Sequence, residues 1–80
     1  MYEQLDSREL TLRGLREAAG YTQEQLAKKL NLGIRIISDW ENGHKIPKFD
    51  NAVSLASALK VSLKTLAIAF RMDVANIPND

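Results

Sequence analysis

Apolar residues recur along this chain at intervals of three and four, and no stretch alternates apolar with polar as a half-buried strand does, so the pattern predicts helices throughout. Leu12, Leu15, Ala18 and Ala19 form the inward stripe of a first helix, with Thr11 as its N-cap and Gly20 just past its end. Thr22 caps a second helix and has Gln25 three positions on, a capping-box arrangement, ahead of the apolar Leu26, Ala27 and Leu30. Asn31, a residue type that tolerates left-handed backbone, separates this from a third helix of about Ile34 to Asn42 that stops at Gly43. After a loop over 44–48, Ala52, Leu55, Ala56 and Leu59 make one stripe of a fourth helix from about Phe49 to Leu59. Ser62 caps a fifth helix carrying Leu63, Leu66, Ala67 and Phe70. The expected fold class is all-α, one compact five-helix domain over 11–70 with an N-terminal arm over 1–10 and a C-terminal tail over 71–80.

The second and third helices satisfy the demands of a helix-turn-helix that begins at Gln23. Ala27 is small where the two helices must cross closely, Asn31 takes the left-handed turn, Leu32 is apolar just after it, and Ile37 plugs the third helix into the core. At about 100° per residue, Gly33, Ile37, Trp40 and Glu41 gather on one side of that helix and Arg35, Ser38, Asp39 and Asn42 on the other. The second group is the outer face. Glu41 is the odd member of the inward group, since a buried carboxylate needs a partner. Trp40 reads as core rather than as a stacking platform.

Composition narrows the chemistry. Eighty residues, 45% of them hydrophobic, support one core. No run approaches the roughly 18 consecutive apolar residues of a membrane span and the first ten residues are charged, so a cytoplasmic protein with no membrane partner is expected. Without cysteine and with a single histidine, a metal site is not expected, nor any cofactor. No nucleophile and base pair, phosphate loop or metal cluster points to an enzyme. The net charge of +1 is nearly neutral, but residues 21–48 carry Lys28, Lys29, Arg35, Lys45 and Lys48 against Glu24, Asp39 and Glu41, a local balance of +2 that suits a phosphate partner.

Three segments, LREAAGYTQEQLAKKL, ISDWENG and, after Pro47, SLASALKVSLKTL, make Leu15 to Phe70 resemble the lambda-repressor-like family of phage repressors, Cro proteins and xenobiotic-response-element-type regulators. The chain departs from the family in having Asn31 at the usual turn glycine and apolar Ile34 and Ile36 in the recognition helix. The resemblance implies a five-helix DNA-binding fold with the third helix in the major groove. It also implies a phosphate contact and a bracing role for Gln23, phosphate contacts for Asn42 and for the basic loop residues Lys45 and Lys48, and a structural ion pair of Glu41 with Arg16.

Within that motif the residues sort into two sets. Arg35, early on the outer face of the third helix, is suited to the O6 and N7 of guanine. Ser38 shares its face. Ile34 matches a base-contacting position of the family and has two readings, a contact with a thymine methyl or the rim of the core. Asp39 has three: accepting from cytosine N4, orienting Arg35 one turn before it, or repelling phosphate, of which orientation of Arg35 is preferred. Thr22 and His44 join Gln23, Asn42, Lys45 and Lys48 as phosphate contacts, His44 through a hydrogen bond at most. The function expected is sequence-specific recognition of double-stranded DNA by a transcriptional regulator, a repressor binding a palindromic operator as a homodimer. Helix 5, extended by Val74 and Ile77, is the expected dimer surface, because Leu63, Leu66, Ala67 and Phe70 exceed what so small a core can cover. The rival is an adaptor or antitoxin of the same fold whose main partner is a protein.

Overall fold

The computed structural model of the protein describes residues 10–70, which form five helices: α1 (Leu12–Ala18), α2 (Gln23–Leu30), α3 (Ile34–Glu41), α4 (Phe49–Leu59) and α5 (Leu63–Ala69). The expected arm, apart from Leu10, and the tail with Val74 and Ile77 lie outside the described residues. Three of the helices start on side-chain caps. The Thr11 hydroxyl accepts from the Gly14 N–H at 3.0 Å and Ser62 from the Thr65 N–H at 3.0 Å. Thr22 accepts from the Gln25 N–H at 3.0 Å while the Gln25 side chain accepts from the Thr22 N–H at 2.9 Å, a complete capping box.

Four of the helices stop in the same way. A residue in left-handed or positive-φ backbone follows the last turn, and its N–H and that of the next residue fold back onto helix carbonyls. At α1 these residues are Gly20 and Tyr21, bonding Glu17 and Arg16 at 3.0 and 3.1 Å. At α2 they are Asn31 and Leu32, bonding Lys28 and Ala27 at 3.1 and 2.8 Å. At α3 they are Gly43 and His44, bonding Trp40 and Asp39 at 3.3 and 2.9 Å, and at α4 Lys60 and Val61, bonding Ser57 and Ala56 at 3.2 and 3.0 Å. Each stop satisfies carbonyls that a buried helix end would otherwise strand.

The stripes predicted from the sequence meet in one core. Leu15, Leu26, Ile37, Leu55 and Leu59 are fully enclosed, with Leu10, Leu12, Ala27, Trp40, Ala56 and Leu66 around them. Each enclosed aliphatic side chain contributes about 1.5–3 kcal/mol relative to exposure. α2 packs on both α3 and α4, α1 packs on α3, and α5 turns back from α4 at 102°. Ala27 is buried on α2, the helix that α3 crosses, where a larger side chain would push the two apart. No single helix among the described residues is long and apolar enough to cross a membrane.

Four expectations are corrected. Ala18 is exposed, because Arg16 takes the inward position on α1 and moves the stripe round the helix. α3 ends at Glu41, with Asn42 as its C-cap. Gly33 is the exposed N-cap of α3 rather than part of its inward side. α5 is better covered than its composition suggested: Leu66 and Ala67 are buried, and Leu63 and Phe70 are half-buried against the core. The strongly exposed apolar side chains are instead Phe49, at 74%, and Ile46, at 58%, with Val53, Ile34 and Ile36 less so.

Lys60 holds φ 59° at an exposed site, a conformation that costs an L-residue about 1–2 kcal/mol. Glycine removes that cost and returns about 0.5–1 kcal/mol of it through the entropy of the unfolded chain. Lys60→Gly is therefore expected to stabilise the domain by about 0.5–1 kcal/mol and raise Tm by about 3–6 °C in calorimetry, whereas Lys60→Val lowers it.

Candidate nucleic-acid interface

The site is built on a buried charge. Arg16 and Glu41 have side chains only 9% and 6% exposed, and they meet across 25 residues of sequence. The Arg16 Nε–H donates to Glu41 Oε2 and its Nη2–H to Oε1 at 3.3 Å, a two-point contact of guanidinium with carboxylate. The remaining arm of the guanidinium, Nη1, donates to the Tyr21 carbonyl at 2.9 Å. Gln23 completes the node, its Nε2 donating to Glu41 Oε1 at 3.0 Å. The node therefore fastens α1, the turn before α2, the first residue of α2 and the last of α3 at one point. No enclosed side-chain nitrogen or oxygen among the described residues lacks a partner.

With α3 held in this way, its outer face is free of core duties. Arg35 is exposed and has no ion pair among the described residues. Ser38 is half-buried and accepts from Asn42 Nδ2 at 3.3 Å, so two candidate contacts are linked to each other. Ile34 is half exposed at the start of the helix. Thr22 is exposed, and its hydroxyl oxygen is engaged as the α2 cap. His44 and Lys45 are exposed on the loop after α3, and Lys48 is the exposed N-cap of α4, with no side-chain bond tying it to α3.

Asp39 does not orient Arg35. Its carboxylate faces the loop, with Oδ1 3.6 Å from His44 Nδ1 and Oδ2 3.9 Å from Lys45 Nζ. The helix stop at Gly43 explains this, because the His44 and Lys45 N–H groups both return to the Asp39 carbonyl and bring their side chains beside its own. Spacing along the helix pointed one turn backwards to Arg35, whereas the hydrogen bonds of the stop run forwards.

Sequence reasoning passed over the apolar residues beside this site. Ile46 and Phe49 are three apart, with Val53 four beyond, a helical spacing visible in the chain. Among the described residues no group of three or more His, Cys, Asp or Glu side chains is placed to hold a metal.

The sequence is also similar to those of known proteins. The model of a helix-turn-helix family matches residues 12–66. The chain is 37% identical over 51 residues to the HTH-type transcriptional regulator ImmR of Bacillus subtilis (strain 168), an alignment covering 64% of this chain and 40% of that protein. It is 34% identical over 56 residues to the uncharacterized HTH-type transcriptional regulator YazB of the same organism, covering 70% of this chain and 81% of that one. The chain thus spans less than half the length of the first relative and most of the second. No solved structure matches it.

Breaking the node from one side leaves a charge without its partner. Arg16→Ala and Glu41→Ala are each expected to cost about 3–5 kcal/mol, a large part of the roughly 5–15 kcal/mol available to a small domain. Replacing both by apolar residues of similar volume, Arg16→Met with Glu41→Leu, is expected to cost much less than the two single losses together. Urea unfolding of the three variants measures this, and small single losses that simply add would place the pair in solvent.

Proposed function

The chain belongs to the helix-turn-helix family of DNA-binding transcriptional regulators, and from that premise we propose that it binds a palindromic operator as a homodimer and acts as a repressor by occupying it. The observation that carries this reading is the exposed outer face of α3, with Arg35 at its N-terminal end, beside a loop bearing Lys45. In this motif the N-terminal part of the second helix enters the major groove. Arg35 then reads a guanine through O6 and N7, Ile34 touches a thymine methyl and Ser38 lies against the bases of the same half-site. Gln23, Thr22, Asn42, His44, Lys45 and Lys48 hold phosphates on either side. Gln23 has one amide N–H engaged with Glu41, which leaves the other to donate outward.

Two copies are required by selectivity, since one such unit contacts few base pairs. The surface proposed is α5, where Leu63 and Phe70 remain partly exposed and the sequence continues to Val74 and Ile77. The proposed setting is the cytoplasm. A second reading, with a protein as the main partner, draws on the exposure of Phe49 and Ile46.

Selection from a random duplex library tests the main reading. Enrichment of a palindrome with half-sites about 34–36 Å apart is expected, and no enrichment at low salt ends the DNA reading in favour of the protein partner. Arg35→Ala is expected to cost about 1–3 kcal/mol and to relax preference at one position of each half-site, while Lys48→Ala weakens all sequences alike and lowers the salt slope by about one. Sedimentation at micromolar concentration with the selected duplex is expected to give two chains per site. A stoichiometry of one on a non-palindromic site would remove the dimer and leave the fold intact.

A further inference from the structure

We infer that Asp39 sets the DNA selectivity of this chain as an internal counter-ion, neutralising the loop cation Lys45 so that it does not grip phosphate indiscriminately. The inference rests on the DNA-binding reading above and assigns Asp39 a role other than base contact.

The helix stops make the case. The long return bond of each stop joins a residue of the last turn to one just beyond the left-handed position. At α2 and α4 the joined residues are apolar, Ala27 with Leu32 and Ala56 with Val61. This agrees with the hydrophobic contact that usually accompanies such a stop. At α1 they are Arg16 and Tyr21, whose carbonyl the guanidinium also binds. Only α3 joins an acid to a run of bases, Asp39 to His44 with Lys45 next, and both N–H groups converge on the Asp39 carbonyl, at 2.9 and 3.4 Å.

The side chains repeat the backbone pairing. The Asp39 side chain is 23% exposed, while those of His44 and Lys45 are 69% and 72% exposed, so the acid sits inward and the two loop side chains are open on their outer sides. His44 takes part as a charge only when protonated. At 3.6 and 3.9 Å the attraction is coulombic rather than a close hydrogen bond. Such a contact yields to a competing phosphate that arrives in the right register, and it still opposes a phosphate in any other. The carboxylate also repels the polyanion directly. An operator that engages Arg35 and the rest of α3 overcomes this opposition, whereas random duplex gains nothing to offset it.

Asp39→Asn preserves shape and removes the charge. Binding of the variant and the parent protein to the selected operator and to an unrelated duplex of equal length, each over a range of salt, reads the effect. Binding to the unrelated duplex is expected to tighten about 3–8-fold near 0.1 M salt, the upper end being one whole additional phosphate contact, with the log–log salt slope steeper by up to about 0.9. Operator binding tightens less, so the ratio of the two falls. In a Lys45→Ala background the same change is expected to lose most of its effect on the slope. Unchanged or weaker binding to the unrelated duplex overturns the inference. So does a loss confined to one base pair of the operator, which would make Asp39 a base contact. If the parent protein binds no duplex at all, the DNA reading fails and this one with it; if it binds and Asp39→Asn does not tighten the unrelated duplex, the counter-ion role alone fails.

Discussion

The arrangement of this domain depends on one buried ion pair. An enclosed guanidinium and carboxylate are stable only when hydrogen bonds offset the water they give up, and here Tyr21 and Gln23 add one each to the two that the pair makes with itself. Every group in the node comes from a different element. Removing the freedom of Arg16 therefore removes the freedom of α3 relative to α1 and α2, which apolar packing around Ile37 and Leu26 would fix less sharply, since hydrophobic contact has no direction. The outer face of α3 owes its orientation to this internal charge.

The stops of the helices supply the second level of order. Each is closed by bonds spanning three to six residues, so the boundaries of α1 to α4 follow from short stretches of chain and need no distant partner. Short helices of seven to eleven residues are marginal alone, and fixed ends limit how their faces can drift as they pack. The same device that ends α3 carries the loop bases back onto Asp39, which joins the electrostatics of the exposed site to the backbone geometry of the fold.

Much of this was legible in the sequence, and the parts that were not share a cause. Thr11, Thr22 and Ser62 mark helix starts because a capping side chain acts within three residues, and Gly20, Asn31 and Gly43 mark stops because their residue types tolerate positive φ. Lys60 adopts the same backbone without any such signature, so the α4 stop could be placed only by where its apolar stripe ran out. Glu41 announced itself as a charge on an inward face, but its partner stands 25 residues away, and Arg16 came only through resemblance to a family. Asp39 was misdirected because helical spacing offered a neighbour one turn back while the loop's return path was invisible. The covering of α5 and the exposure of Phe49 depend on the sum of all the packing, which no local pattern records.

The division of labour within α3 has an evolutionary consequence. Ile37, Trp40 and Glu41 carry the helix's structural obligations, while Arg35 carries none that the described residues reveal. Substitution at Arg35 can therefore alter what the chain recognises at little cost to whether it folds, so a duplicated copy could drift to a new target through a few viable intermediates. Asp39 is not free in this sense, because a neutral or basic replacement there also changes the charge balance of the neighbouring loop, so of the exposed-face positions it would drift less readily than Arg35.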